Sequence, residues 1–256
     1  MLSKASTQLS MAIHGASPIS LFANDPQEFV HSAVRGTISV LKGALKHGQA
    51  LRRIVITASI TGVMRTDAPP DVYIEANWSD LRVIVVVGFG KDALQSYKYE
   101  ASKILPERAA WDFYNAHKHE VSWDLTTICQ GFVFGPPADD EPDAMAATLQ
   151  LNLVSLFKDA NPSTPRFPPS YNYVDVRDVA AMHARTLEHA VDTVDDLGLL
   201  PLLHKTDPYA PQPPFATASS KESRQVLGIE CRCAEETILS IVDDFASSGW
   251  PQYLGA

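Results

Sequence analysis

Ile54-Val55-Ile56-Thr57-Ala58-Ser59 is the stretch on which the fold turns. Its first four residues are all β-branched and none alternates with a charged one, which is the pattern of a parallel strand covered on both faces. A helix precedes it. Asp25-Pro26-Gln27-Glu28 supplies a capping acid, a proline at the first helical position and a glutamate three residues after the cap. Phe29, Val30, Val34, Ile38, Leu41 and Leu45 then recur at helical spacing until His47-Gly48 closes the segment. Further upstream, Met11-Ala12-Ile13-His14 is a short apolar run broken by Gly15-Ala16-Ser17-Pro18, a buried strand passing into a loop.

Downstream the same alternation continues. Residues 65 to 92 read as loop, with Val83 to Val87 as a candidate strand. A long helix is expected from about Leu94 to His117, then a buried strand at Leu125-Thr126-Thr127-Ile128-Cys129. Helices between apolar strands imply an α/β fold, a Rossmann-like parallel sheet with right-handed crossovers and flanking helices. Ligands of such sheets gather at the carboxyl ends of the strands, where Ser59 and the loop after His14 both lie. Beyond Gly135-Pro136-Pro137 the composition turns to acid and proline, and an apolar helix is expected from about Met145 to Phe157. Tyr173 to Val179 reads as a strand entering a helix, with Asp175 as cap and Asp178 in the first turn. Prolines cluster from Asp207 to Pro214, and a last amphipathic helix runs from Glu235 to Phe245. The division expected is a nucleotide-binding portion over 1–136 and a small substrate-binding region over 137–256, with 171–190 returning to the core.

With 256 residues and 45% apolar content the chain can bury one large core. A net charge of −9 argues against nucleic acid or an anionic membrane as partner, since both require clustered cations. Cys129, Cys231 and Cys233 have no zinc-like spacing, and the last two would face opposite sides of a strand. His117-Lys118-His119 offers no third ligand, so no metal is expected and the pair reads as a solvated helix end. Neither a signal segment nor a membrane span is evident, and the reading is cytoplasmic.

The chemistry is concentrated in Tyr97-Lys98-Tyr99-Glu100-Ala101-Ser102-Lys103. On a helix Tyr99 and Lys103 share one face, and an ammonium beside a phenol favours the phenolate. That would bring a group with a pKa of about 10 into range for proton donation to a carbonyl oxygen, which Ser59 would hold.

These residues and their order resemble the extended short-chain dehydrogenase/reductases, in particular the dihydroflavonol reductase and fungal methylglyoxal or aldehyde reductase branch. The resemblance rests on Ile13 to Pro18, Thr57-Ala58-Ser59, Tyr99 to Lys103 followed by Glu107-Arg108-Ala109-Ala110-Trp111, Gly131 to Pro137, Tyr173 to Ala180, and Ser219-Ser220-Lys221 leading to Leu227-Gly228-Ile229. It implies Tyr99 as proton donor, Lys103 as the residue that binds the nicotinamide ribose and tunes Tyr99, and Ser59 as the polariser of the carbonyl. Ala16, Ser17, Thr57, Gly131 and Val133 would lie along the cofactor with Tyr99 and Lys103. Gln130 stands where the family usually has a proline beside the nicotinamide. The implied activity is NAD(P)H-dependent reduction of a ketone or aldehyde in secondary metabolism, with NADP as cofactor and NAD as the alternative. A homodimer would use helices around Phe29 and Tyr114. The family's Gly-x-x-Gly-x-x-Gly turn is absent from the sequence, so the expectation is an amino-terminally truncated enzyme, or else a non-redox homologue that binds a small molecule or a partner subunit. An epimerase or dehydratase of nucleotide sugars ranks last.

Overall fold

The computed structural model describes residues 9–18, 25–64, 72–73, 77–136, 172–188, 217–218 and 221–247. Strands β1 (Met11–His14), β2 (Arg53–Ser59) and β4 (Asp124–Gln130) form a parallel sheet in the order β1-β2-β4. β3 (Val72–Tyr73) pairs with β7 (Thr217–Ala218), and β5 (Phe132–Phe134) with β6 (Tyr173–Asp175), both parallel. The helices are α1 (Pro26–His47), α2 (Asp80–Phe89), α3 (Gln95–His117), α4 (Val176–Glu188), α5 (Lys221–Leu227) and α6 (Ala234–Ser247).

β2 and β4 are buried on both faces, as their unbroken apolar runs require, whereas β1, expected to be buried, lies at the sheet edge with Ile13 exposed. On one side Leu41 and Ala44 of α1 and Ala110 of α3 pack on Ile54, Ile56 and Leu125, with Trp123 closing the edge. On the other side Val55 and Ile128 meet Met182 of α4, Leu227 and Ile229. Odd and even positions of β2 thus serve opposite layers, the α/β arrangement expected. No helix among the described residues is long and apolar enough to cross a membrane.

Local signals set the element ends. Asp25 caps α1 by accepting from the Gln27 N–H at 2.9 Å, Pro26 fills the first position, and Gly48 closes the helix. Asp175 accepts from the Arg177 N–H at 2.8 Å at the head of α4. Two expectations need correction. The stretch Val83 to Val87 is no strand but the body of α2. Arg82 and Val86, one turn apart, form its buried side. Arg82 pairs with Glu100 of α3 at 2.5 Å and lies 4.0 Å from the Tyr97 ring centroid, while Arg108 pairs with Asp80 and stacks on Trp78. These contacts with α3 hold the segment as a helix and outweigh the β preference of the valines. Likewise Cys231 and Cys233 stand in an irregular segment before α6, not in a strand. The expected helix at Met145 to Phe157, the acidic run from Asp139 and the prolines from Asp207 lie outside the described residues.

Candidate active site

Three strands end at the same edge of the sheet. β2 and β4 run in register to Ser59 opposite Gln130, and β1 ends at His14 opposite Ile56. Ser59 opens a tight turn over Ile60–Gly62, and its hydroxyl oxygen accepts from the Thr61 N–H at 3.4 Å and the Thr61 hydroxyl at 3.0 Å. Both donors approach the oxygen, so the Ser59 O–H proton is left for another acceptor.

α3 packs over this edge and carries Tyr99 and Lys103, both half-buried. The Lys103 ammonium lies 5.3 Å from the Tyr99 ring centroid. It donates to the Ser17 hydroxyl at 2.8 Å and to the Pro18 carbonyl at 3.5 Å. The spacing of four therefore puts both side chains on one face, and the loop after β1 is tied to the same lysine. One electrostatic expectation is reversed. Burial pushes the Tyr99 phenol above its ordinary value and the Lys103 ammonium below its own. The cation faces the ring rather than the phenolic oxygen, so desolvation prevails over charge attraction.

The surrounding residues hold this edge in place. Thr57 shares a 2.8 Å hydrogen bond with His183 Nε2, and His183 Nδ1–H donates to the Val179 carbonyl at 2.8 Å. The Thr57 hydroxyl is thus engaged by α4, and it sits 3.5 Å from where a side chain on Gly15 would begin. His14 Nε2 is 3.3 Å from the Thr37 hydroxyl of α1, and burial lowers its pKa, which makes it a partnered half-buried histidine. Gly131 is forced by space: an added Cβ would stand 2.2 Å from the Asn172 carbonyl oxygen. Val133 follows in β5, paired with Val174. Ala16 lies exposed in the loop after β1. Gln130 Oε1 is buried with no hydrogen-bond partner among the described residues, an acceptor lacking a donor. His117 pairs instead with Glu120, at 3.0 Å. His183 went unread in the sequence, because a histidine inside an amphipathic helix carries no signal until the strand it meets is known.

The arrangement offers a phenolic proton, a cation beneath it, a hydroxyl donor on the neighbouring strand end and an unpaired acceptor opposite that hydroxyl. It suits chemistry in which negative charge grows on a carbonyl oxygen. No family model matches the chain. It is 31% identical over 186 residues to the ketoreductase azaE of Aspergillus niger, an alignment that covers 71% of this chain and 52% of that protein. It is 33% identical over 182 residues to cinnamoyl-CoA reductase CAD2 of Medicago truncatula, covering 69% of this chain and 49% of the relative. The chain thus spans about half the length of the relatives it matches. Its fold is that of the yeast methylglyoxal/isovaleraldehyde reductase Gre2, solved with NADPH, with a TM-score of 0.78 at 22% identity over 97% of this chain and 80% of that one.

Proposed function

The chain belongs to the extended short-chain dehydrogenase/reductases, and from that premise we propose that it reduces a ketone or aldehyde to an alcohol with NADPH. The observation that carries this reading is the Lys103 ammonium, which bridges the Tyr99 ring and the Ser17 hydroxyl at the strand edge that ends in Ser59. NADPH is favoured because the yeast reductase of the same fold is complexed with it.

The residues present suit the nicotinamide end of such a cofactor. Ser17 and Lys103 offer polar hydrogens and an oxygen for ribose hydroxyls, and the orphaned Gln130 Oε1 suits an amide donor. When bound, the dinucleotide supplies the hydride. The chain does the rest. Ser59 donates to the carbonyl oxygen and fixes the substrate's orientation. Tyr99, whose burial keeps the phenol protonated at neutral pH, gives its proton to that oxygen as charge builds there. Lys103 then offsets the charge left on the phenol and keeps the β1 loop closed against the helix. Half-burial of both side chains limits water at the reacting atoms.

The test is direct. Purified chain should gain thermal stability with NADPH at millimolar concentration, as ligand binding to the folded state requires. It should also consume NADPH when methylglyoxal or isovaleraldehyde is added. The absence of both stabilisation and turnover would overturn the reading. Stabilisation without turnover on a broad carbonyl panel would favour a non-redox binding protein.

A further inference from the structure

Glu107 takes no part in the chemistry above, yet it is buried where three site-bearing segments meet. It stands two turns after Tyr99 and one after Lys103, on the same face of α3. Its Oε1 accepts from the Cys129 thiol of β4 at 3.2 Å, and Cys129 directly precedes Gln130 and Gly131. Its Oε2 has no hydrogen-bond partner among the described residues and lies 3.0 Å from where a side chain on Gly62 would begin, under the turn that follows Ser59. A larger residue at 62 would push that turn off the carboxyl. Pro106, immediately before it, removes the N–H that would bond the Ser102 carbonyl, so α3 lacks the backbone rung between Ser102 and Pro106, in the turn that links Lys103 to Glu107.

We propose that Glu107 is a positioning residue that clamps the helix carrying Tyr99 and Lys103 to the two strand ends, after Ser59 and before Gly131, between which the carbonyl substrate reacts. The proposal rests on the reductase reading above. The clamp replaces the rigidity that Pro106 takes from the helix, and it holds Ser59 and Tyr99 in one register although they are forty residues apart in sequence. It works as a neutral acid. Burial raises the Glu107 carboxyl to about 7, against weaker stabilisation of the charged form by Cys129, Thr127 and Arg108. The groups acting on it are the Cys129 thiol and Thr127 hydroxyl of β4, with Arg108 on its own helix; the Lys103 ammonium is turned to Tyr99 and Ser17. The turn contributes only Ile60, Thr61 and Gly62 and no charge. Above neutrality an ionised carboxylate in this place has no salt-bridge partner among the described residues, and water entering to solvate it would part the three segments.

The proposal is tested in the full chain with Glu107→Gln and Glu107→Asp, NADPH and methylglyoxal. The amide keeps both volume and the acceptor for Cys129, so kcat below pH 7 should match the native chain. A step in the kcat profile near pH 7 should be present in the native chain and absent from Glu107→Gln. Glu107→Asp withdraws the carboxyl by one methylene, and kcat should fall about a hundredfold with a smaller change in the KM for NADPH, as for reacting groups misplaced by about 1 Å. A step that persists in Glu107→Gln, or native kcat in Glu107→Asp, would overturn it. A second readout needs no turnover. The infrared carbonyl stretch of a buried neutral acid should be present at pH 6 and vanish in Glu107→Gln, and in Glu107→Asp the amide resonances of Ser59 and Gly131 should move with the Tyr99 ring signals. If the native chain is inactive but these signals behave as stated, the clamp stands and the reductase reading fails. If they do not, the clamp fails whatever the activity.

Discussion

The two ends of the inward face of α3 put titratable groups into different surroundings. Tyr99 and Lys103 are half-buried at the open edge of the sheet, and Glu107, one turn beyond Lys103, is sealed beneath the turn after Ser59. At the open end burial shifts both groups toward their neutral forms, yet Lys103 keeps its contact with Ser17 and both side chains stay partly exposed. At the closed end the carboxyl meets protein on every side and is neutral well above the ordinary carboxylate range. On the proposals above, the same helix reacts at one end and is fastened at the other. Substitutions at the open end should cost activity and little stability, while those at the closed end should cost stability first.

The sharpest break in that comparison is Tyr99→Phe. It deletes the proposed proton donor and leaves the ring over Lys103, so turnover should fall by about 100- to 10,000-fold, the range general acid catalysis supplies. NADPH binding, followed by thermal shift, should be retained. An equal loss of binding and turnover would move Tyr99 from chemistry to packing and erase the distinction between the two ends.

Glu107 provides the next largest effect, and its pH-dependent stability is a signature separate from the rate loss of Glu107→Asp. Its folded pKa of about 7 lies above the 4.5 of an ordinary glutamate, so the unfolded chain gives up this proton first. The stability this acid contributes is fully present below pH 4.5 and is lost as pH rises toward 7, on the order of 3 kcal/mol in all. Glu107→Gln does not titrate. Denaturant titrations at intervals across that window should therefore show the native chain losing stability relative to the variant, with parallel curves above about pH 8. Parallel curves throughout would mean that the carboxyl is solvated, and the closed end would be no different from the open one.

How much of this was legible in the sequence follows the reach of each interaction. The cap at Asp25-Pro26, the strand of β-branched residues ending in Ser59 and the Tyr99-Lys103 spacing are local patterns, and each holds in the structure. α2 was misread because Val83 to Val87 favours a strand until Arg82 finds Glu100, eighteen residues away. Glu107 was visible in the family phrase, but its meaning depends on Cys129 and Gly62, which only the fold brings to it. The tuning of Tyr99 failed for the same reason: spacing shows that a cation is near, and only coordinates show that it faces the ring and that burial opposes it.

The smallest predicted effect concerns what the open end leans on. Ser17 accepts from Lys103 at 2.8 Å and is the contact that ties the β1 loop to α3. Ser17→Ala removes one charge-assisted hydrogen bond at a largely exposed site, worth about 1 kcal/mol. Lys103 keeps the Pro18 carbonyl as a longer contact at 3.5 Å, so the ammonium is not stranded. The KM for NADPH should therefore rise about fivefold, by that same free energy, with kcat nearly unchanged and the melting temperature within a degree or two of the native chain. A fall in kcat as large as that of Tyr99→Phe would show that the Ser17 tether sets the position of Lys103 under the phenol. The open end would then depend on its fastening as much as the closed end does.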